Sequence, residues 1–223
     1  MKTISYSFFL SGTISSFGKY IIGVVETIES RNIFFPNWNI SIYYDYTVIN
    51  NKYGYQVLQW LKTQKDVDLH LVKDMEEYPI YVKAGYRFLS RENPVLFRDL
   101  DSPLTLLDSD NVENWLNSSE KVLQYYSVPN NTSFAGGGTG IKDITLSDYQ
   151  FFVSNSLSKF KQLYNADKDA RNFDEWYLSI ELKDSLKLSI PMVLIKKGSL
   201  RGRWYMEKDI SKKNPLLSFI NGQ

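Results

Sequence analysis

The chain has 223 residues, 43% of them hydrophobic and 15% aromatic, which is enough for a core of ordinary size and suits one domain across residues 1–223. Its 26 Lys and Arg stand against 25 Asp and Glu, so no net field draws nucleic acid or an anionic membrane over the whole surface, and any polyanion site must be local. The absence of cysteine excludes disulfides, thiolate metal sites and a Cys nucleophile, and the N-terminal apolar run breaks well short of the ~20 residues of a membrane span, so a soluble cytoplasmic protein is expected.

Residues 3–10 alternate and are rich in β-formers, which predicts a first strand, and Ser11-Gly-Thr13 breaks it with small residues that suit either a plain turn or the close approach of a ligand to the backbone. Residues 17–31 carry Tyr20, Ile21, Val24, Val25 and Ile28 at helical spacing, with Lys19, Glu26 and Glu29 opposite, hence an amphipathic helix. After the breaker Phe34-Phe-Pro-Asn-Trp38, residues 39–44 read as a second strand that ends in Asp45. Residues 53–63 are in helical register through Val57, Leu58, Trp60 and Leu61, and residues 67–72 form a third strand. This alternation marks βαβ units and a mainly parallel sheet flanked by helices. His70, the sole histidine, sits mid-strand and reads as a packed or solvent-facing side chain, outside any site. A short helix over residues 81–90 places Arg87 either as a surface cation or folded back on a phosphate.

The stretch Pro94-Val-Leu-Phe-Arg-Asp-Leu-Asp-Ser102 is the centre of the chain. Val95 to Phe97 read as a buried parallel strand that stops abruptly in Arg98, Asp99, Asp101 and Ser102, and in open α/β sheets ligands collect at such carboxyl ends. Asp99 and Asp101 are two apart, so they share a face in an extended strand, and from a loop their oxygens reach one cation. Hard divalent ions that carry substrate phosphates are held by one or two carboxylates, with water and phosphate oxygens completing the shell, which suits Mn²⁺ or Mg²⁺ on a nucleotide diphosphate.

Beyond it, Asp108-Ser-Asp110 predicts an N-cap cluster for a helix through Trp115 and Leu116, its acids explained by the helix dipole. Residues 121–128 read as a strand, and Ser133-Phe-Ala-Gly-Gly-Gly-Thr-Gly-Ile141 fits neither a P-loop nor a dinucleotide fingerprint but suits backbone lying close to a ligand. Residues 147–163 predict a long helix, and Phe173-Asp-Glu-Trp-Tyr-Leu178 opens another with Asp174 and Glu175 in its first turn. Residues 190–195 read as a late strand, followed by a basic aromatic tail over residues 196–205 that contains Lys196, Arg201 and Arg203.

Taken in order, several of these segments resemble a family of small GT-A type glycosyltransferases of bacteria and large DNA viruses. They are Phe17-Gly-Lys-Tyr20 after the first strand, Tyr20-Ile-Ile-Gly-Val-Val-Glu-Thr-Ile-Glu-Ser-Arg-Asn32 with Phe35-Pro-Asn-Trp38, Tyr86-Arg-Phe-Leu89, Phe97-Arg-Asp-Leu-Asp-Ser102, Glu113-Asn-Trp115, the Gly136 to Gly140 run and Phe173-Asp-Glu-Trp-Tyr-Leu178. The resemblance implies a GT-A (Rossmann-like) domain in which Asp99 and Asp101 hold Mn²⁺ or Mg²⁺ on the diphosphate of a sugar nucleotide such as a UDP-sugar, with a glycan or protein-linked glycan as acceptor. It implies the host cytoplasm for a viral chain. The sequence departs from the family at Tyr125-Tyr-Ser-Val-Pro-Asn-Asn131, where relatives place a basic, histidine-containing segment, and at Gly138-Thr139, where they carry Met-Trp.

On this reading Asp174 or Glu175 takes the acceptor proton as general base. Ser11, Gly12 and Asp45 lie near the nucleoside, Arg87 near the phosphates, and Arg201 and Arg203 close over the diphosphate. The competing expectation is a nonenzymatic carbohydrate or nucleotide binding module of the same fold, for which the aromatic content supplies stacking surfaces. A nucleic-acid enzyme lacks the basic stripe it would need.

Overall fold

The structure is a computed structural model that describes residues 1–10, 14–73, 77–126, 137–143, 162, 165 and 192–196. Its strands form one sheet in the order β3-β2-β1-β4-β6-β5-β7. They are β1 (Thr3–Phe8), β2 (Asn39–Tyr44), β3 (Val67–Leu71), β4 (Val95–Arg98), β5 (Val122–Tyr126), β6 (Gly138–Ile141) and β7 (Met192–Lys196). β1, β2, β3 and β4 run parallel, β6 is antiparallel to both β4 and β5, and β7 is parallel to β5. The expected α/β, mainly parallel Rossmann-like sheet is therefore present. The central strand β4, however, is parallel only on its β1 side.

Alternation along β1 builds two layers. Ile4, Tyr6 and Phe8 join a core cluster with Ile21, Val24 and Ile28 of helix α1 (Ile14–Phe34), Val57, Leu58 and Leu61 of helix α3 (Lys52–Leu61), and Leu96 of β4. Each such buried aliphatic side chain contributes about 1.5–3 kcal/mol of transfer free energy. The opposite face of β1 is hydroxylic. Ser5 Oγ donates to Arg87 O at 2.6 Å and Ser7 Oγ to Ala84 O at 2.7 Å, which straps a short segment across the sheet. That segment was expected as one helix over residues 81–90. It is instead a single turn, α4 (Ile80–Lys83), followed by a 3-10 helix (Ala84–Leu89), because the strand hydroxyls take carbonyls that a continuing α-helix would use. Phe88 packs edge-on against Phe97 of β4, ring centroids 5.0 Å apart, on the same face.

Capping sets the helix starts. Asp45 caps the short α2 (Tyr46–Ile49), and Asn51 caps α3 by accepting from Tyr53 N at 2.9 Å and Gly54 N at 3.1 Å. The cap of helix α5 (Leu106–Leu116) lies three residues before the expected acidic cluster: Thr105 is the cap, accepting from Asp108 N at 3.1 Å. Asp108 turns inward, where it faces Arg98. At the other end of α5 the buried Lys142 donates to Trp115 O, Leu116 O and Ser118 O at 2.7, 2.9 and 2.6 Å, a cation on the negative end of the helix.

The glycine run also differs from expectation. Gly138 to Ile141 are strand β6 inside the sheet, and the lack of a side chain serves protein packing: a Cβ on Gly140 would stand 2.8 Å from Leu96 and 3.2 Å from Trp115. The late strand is present as β7. The expected helix over residues 173–178 and the tail beyond Lys196 lie outside the described residues, as does all but Gln162 of the helix expected over residues 147–163. Among the described residues no helix is long and apolar enough to cross a membrane.

Candidate functional site

The order β3-β2-β1-β4 places β1 at the point where successive strands begin to be laid down on its other side, and in such sheets the crevice beyond the strand ends there receives ligands. Tyr6 is level with Arg98, so the end of β1 lies beside the start of the acidic turn beyond β4. The acidic pair does not continue the strand. Leu100 is buried in the core and Ser102 N donates to Asp99 O at 3.0 Å, which makes the motif a turn and not the extended segment that would put both acids on one face.

The turn directs the two carboxylates to different layers. Asp99 accepts from the Nη1 of Arg87, on the layer of the 3-10 helix, and Asp101 pairs with the Nζ of Lys19 on α1. The side chains of Asp99 and Asp101 are 34% and 23% exposed, so both are open to a ligand in part. Arg87 is not the surface cation that its helical setting allowed. Its side chain is 3% exposed and also donates to Arg98 O at 3.2 Å, and its backbone N–H donates to Ser7 Oγ at 2.8 Å. The Asp101 carboxylate holds the Lys19 ammonium above its ordinary pKa, and burial, helped by Asp101, does the same to the phenol of Tyr20.

Two glycines permit this geometry. A Cβ on Gly23 would stand 2.0 Å from Leu100 O, so only a glycine lets α1 lie directly on the backbone of the acidic turn. Lys19, four residues earlier and on the same side of the helix, thereby comes to Asp101. A Cβ on Gly137 would stand 1.9 Å from Asp99 Oδ2, so the glycine run does bring backbone close to a site, though to the acid itself. By its spacing Lys19 belongs to the polar face of the helix, and the Lys19/Gly23 pair acquires meaning only when α1 is docked on residues 100–101.

Asp45 stands at the end of β2, as expected, but it is wholly buried and its oxygens are in use. Oδ1 accepts from the N–H and hydroxyl of Thr47, and Oδ2 faces Lys83 Nζ at 2.8 Å and Tyr86 OH at 3.3 Å. Thr47 Oγ1 in turn accepts from Leu10 N at 3.0 Å. Through Thr47, Asp45 therefore fixes Leu10, and its buried carboxylate has no open oxygen. Ser11, Gly12, Asp174, Glu175, Arg201 and Arg203 lie outside the described residues. His70 lies on the edge strand β3, stacked on Tyr43 with ring centroids 4.5 Å apart, away from the acidic turn in the strand order.

Behind the turn, Arg98 is anchored in a buried network. Its Nε and Nη2 donate to Asp108 at 3.2 and 3.1 Å, its Nη1 to Phe97 O at 2.9 Å and Thr139 O at 3.2 Å, and Tyr125 OH donates to Asp108 Oδ1 at 2.5 Å. Burial opposes the Arg98 charge, but Asp108 and Tyr125 outweigh it and keep the guanidinium ionised. The network holds the last residue of β4, and so the start of the acidic turn, in place.

The donor set suits a hard divalent ion. Among the described residues no group of three or more His, Asp or Glu side chains is arranged to hold a metal by itself. Asp99 and Asp101 are carboxylate donors of the kind such an ion takes, and with the two directed to different layers it would draw most of its oxygens from water and a phosphorylated ligand.

No protein-family model matches the sequence, and neither does any curated protein. Solved structures with a similar course of chain include the PaToxG glycosyltransferase, with 11% identity and a TM-score of 0.46 over 97% of this chain and 79% of that one. Another is the 1-349 fragment of S. aureus TarS, with 13% identity and a TM-score of 0.39 over 60% of this chain. The chain spans 38% of that fragment. Likeness of this degree concerns the path of the backbone and carries no argument about chemistry.

Proposed function

We propose that the chain is a metal-dependent glycosyltransferase that moves a sugar from a nucleotide-diphosphate sugar, of which a UDP-sugar is the leading candidate, to a glycan or protein-linked glycan acceptor. The observation that carries this reading is the acidic turn at the carboxyl end of β4. Asp99 and Asp101 are partly exposed beside the end of β1 and are flanked by the cations Arg87 and Lys19, an arrangement suited to a metal-bound diphosphate. Asp101, with Asp99, would hold Mn²⁺ or Mg²⁺, which when bound supplies electrostatic stabilisation of the charge that grows on the departing diphosphate.

The remaining roles belong to the chain itself. Arg87 orients Asp99 from a buried position, and Asp45 fixes Leu10 and hence the approach to Ser11 and Gly12, next to which the nucleoside would lie. Asp174, with Glu175 as the alternative, would take the acceptor hydroxyl proton, and Arg201 and Arg203 would close on the diphosphate.

A panel of UDP, GDP and dTDP sugars, scanned for thermal stabilisation with Mn²⁺ and with chelator, tests the reading. A donor at ~100 times its dissociation constant adds ~2.7 kcal/mol of stability. The expected result is stabilisation by one nucleotide class that requires the ion and disappears in Asp101→Ala, together with slow release of free sugar from the donor in water. Equal stabilisation with and without metal in the intact chain would overturn the site, and metal-dependent binding without any sugar release or transfer would leave a binding module.

A further inference from the structure

The two acids of the turn are neutralised in unequal ways. Arg87 is buried, has a second bond to Arg98 O and is strapped through its backbone to Ser5 and Ser7, so it stays with Asp99. Lys19 is the opposite case: its side chain is 57% exposed, and what holds its head is Asp101, with the Tyr20 ring 5.9 Å away. Its base is nevertheless fixed, because Gly23 sets α1 hard against Leu100 and Asp101. The result is an ammonium on a flexible four-carbon stem, based at the rim of the acidic turn and held at its head by a partly exposed ion pair.

We propose that Lys19 is a phosphate-binding residue of the donor site, held in reserve on Asp101: it neutralises the carboxylate in the empty site and passes to the diphosphate when a divalent ion takes the carboxylate. This rests on the donor-site reading above. An ammonium and a divalent cation repel and compete for the same carboxylate, so metal that arrives alone must displace Lys19 into water. Metal that arrives with a diphosphate gives Lys19 a new anion within reach of its stem. Lys19 thus couples the two ligands, weakening metal without nucleotide and strengthening the pair, and such coupling is reciprocal.

The test compares the full chain with Lys19→Met, Lys19→Arg and Asp101→Asn. Binding of Mn²⁺ alone is followed by the EPR signal of free ion, and binding of UDP and of inorganic pyrophosphate by calorimetry with and without Mn²⁺. Because Lys19 is largely exposed, Lys19→Met should keep the melting temperature of the parent. The expected signature is a change of opposite sign: Lys19→Met binds Mn²⁺ alone about two- to fivefold more tightly, as loss of an exposed ion pair allows. It binds UDP and pyrophosphate with Mn²⁺ about tenfold less tightly, as loss of a charge-assisted bond requires. Lys19→Arg keeps the nucleotide affinity within a few-fold. If Lys19→Met shifts both affinities the same way, or neither, while the parent still needs Mn²⁺ and Asp101 to bind UDP, the proposal is overturned and the donor site stands. If the parent binds UDP and pyrophosphate equally well without Mn²⁺, or Asp101→Asn changes nothing, the donor-site reading falls and takes the proposal with it.

Discussion

Asp108→Ala removes the carboxylate on which the buried end of β4 depends, and its cost follows from the contacts. The substitution deletes the acceptor of two Arg98 bonds, at 3.2 and 3.1 Å, and of the Tyr125 hydroxyl at 2.5 Å. The guanidinium, only 5% exposed, is left with the carbonyls of Phe97 and Thr139 and the Tyr125 ring at 5.2 Å, none of which carries a full negative charge. Breaking a buried pair from one side costs about 3–5 kcal/mol, a large part of the roughly 5–15 kcal/mol that keeps a domain folded. For a chain of this length the melting temperature should fall by roughly 6–20 °C. The double variant Arg98→Met with Asp108→Leu removes both charges, so it should be less destabilised than Asp108→Ala alone. Urea unfolding followed by circular dichroism measures the parent, Asp108→Ala, the single variants Arg98→Met and Asp108→Leu, and the double variant. A loss below about 1 kcal/mol in Asp108→Ala, or a double variant whose loss equals the sum of the singles, would refute the argument that this pair is buried and coupled.

Two further predictions concern the site and the aromatic core. Gly137→Ala places a Cβ 1.9 Å from Asp99 Oδ2, and because Arg87 pins the other oxygen the carboxylate moves only by losing that bond; Mn²⁺-dependent nucleotide affinity should drop about tenfold, and a change under twofold by calorimetry would show that Asp99 is not held there. Burial raises the phenols of Tyr6, Tyr43 and Tyr125, Tyr43 to about 12. Between pH ~10 and ~12 the unfolded chain therefore gives up phenolic protons that the folded chain keeps, and stability falls as pH rises, by on the order of 2–3 kcal/mol from Tyr43 alone. Absorbance at 295 nm should show a subset of tyrosines ionising only as the chain unfolds; complete ionisation near pH ~10 with the fold intact would contradict this.

What could be read from the sequence was whatever depends on local periodicity. The alternation of residues 3–8, the helical stripe from Tyr20 to Ile28 and the apolar run from Val95 to Phe97 that ends in acids each follow from side-chain spacing, and together they determine a mainly parallel α/β sheet with carboxylates at a strand end. The tertiary structure decided the partners, because those arise between segments far apart in the chain. Asp108 stands in the first turn of α5, as its place in the sequence suggests, but only the docking of α5 on β4 shows that its carboxylate faces Arg98, ten residues away. The glycines at 137, 138 and 140 were legible as a demand for close approach, but only the pairing of β6 between β4 and β5 shows that what approaches is Asp99 and Leu96. Lys19 is the sharpest case. On its own helix it is one solvated cation among many, and it becomes part of the site because Gly23, by having no Cβ, brings α1 down onto the turn that carries Asp101.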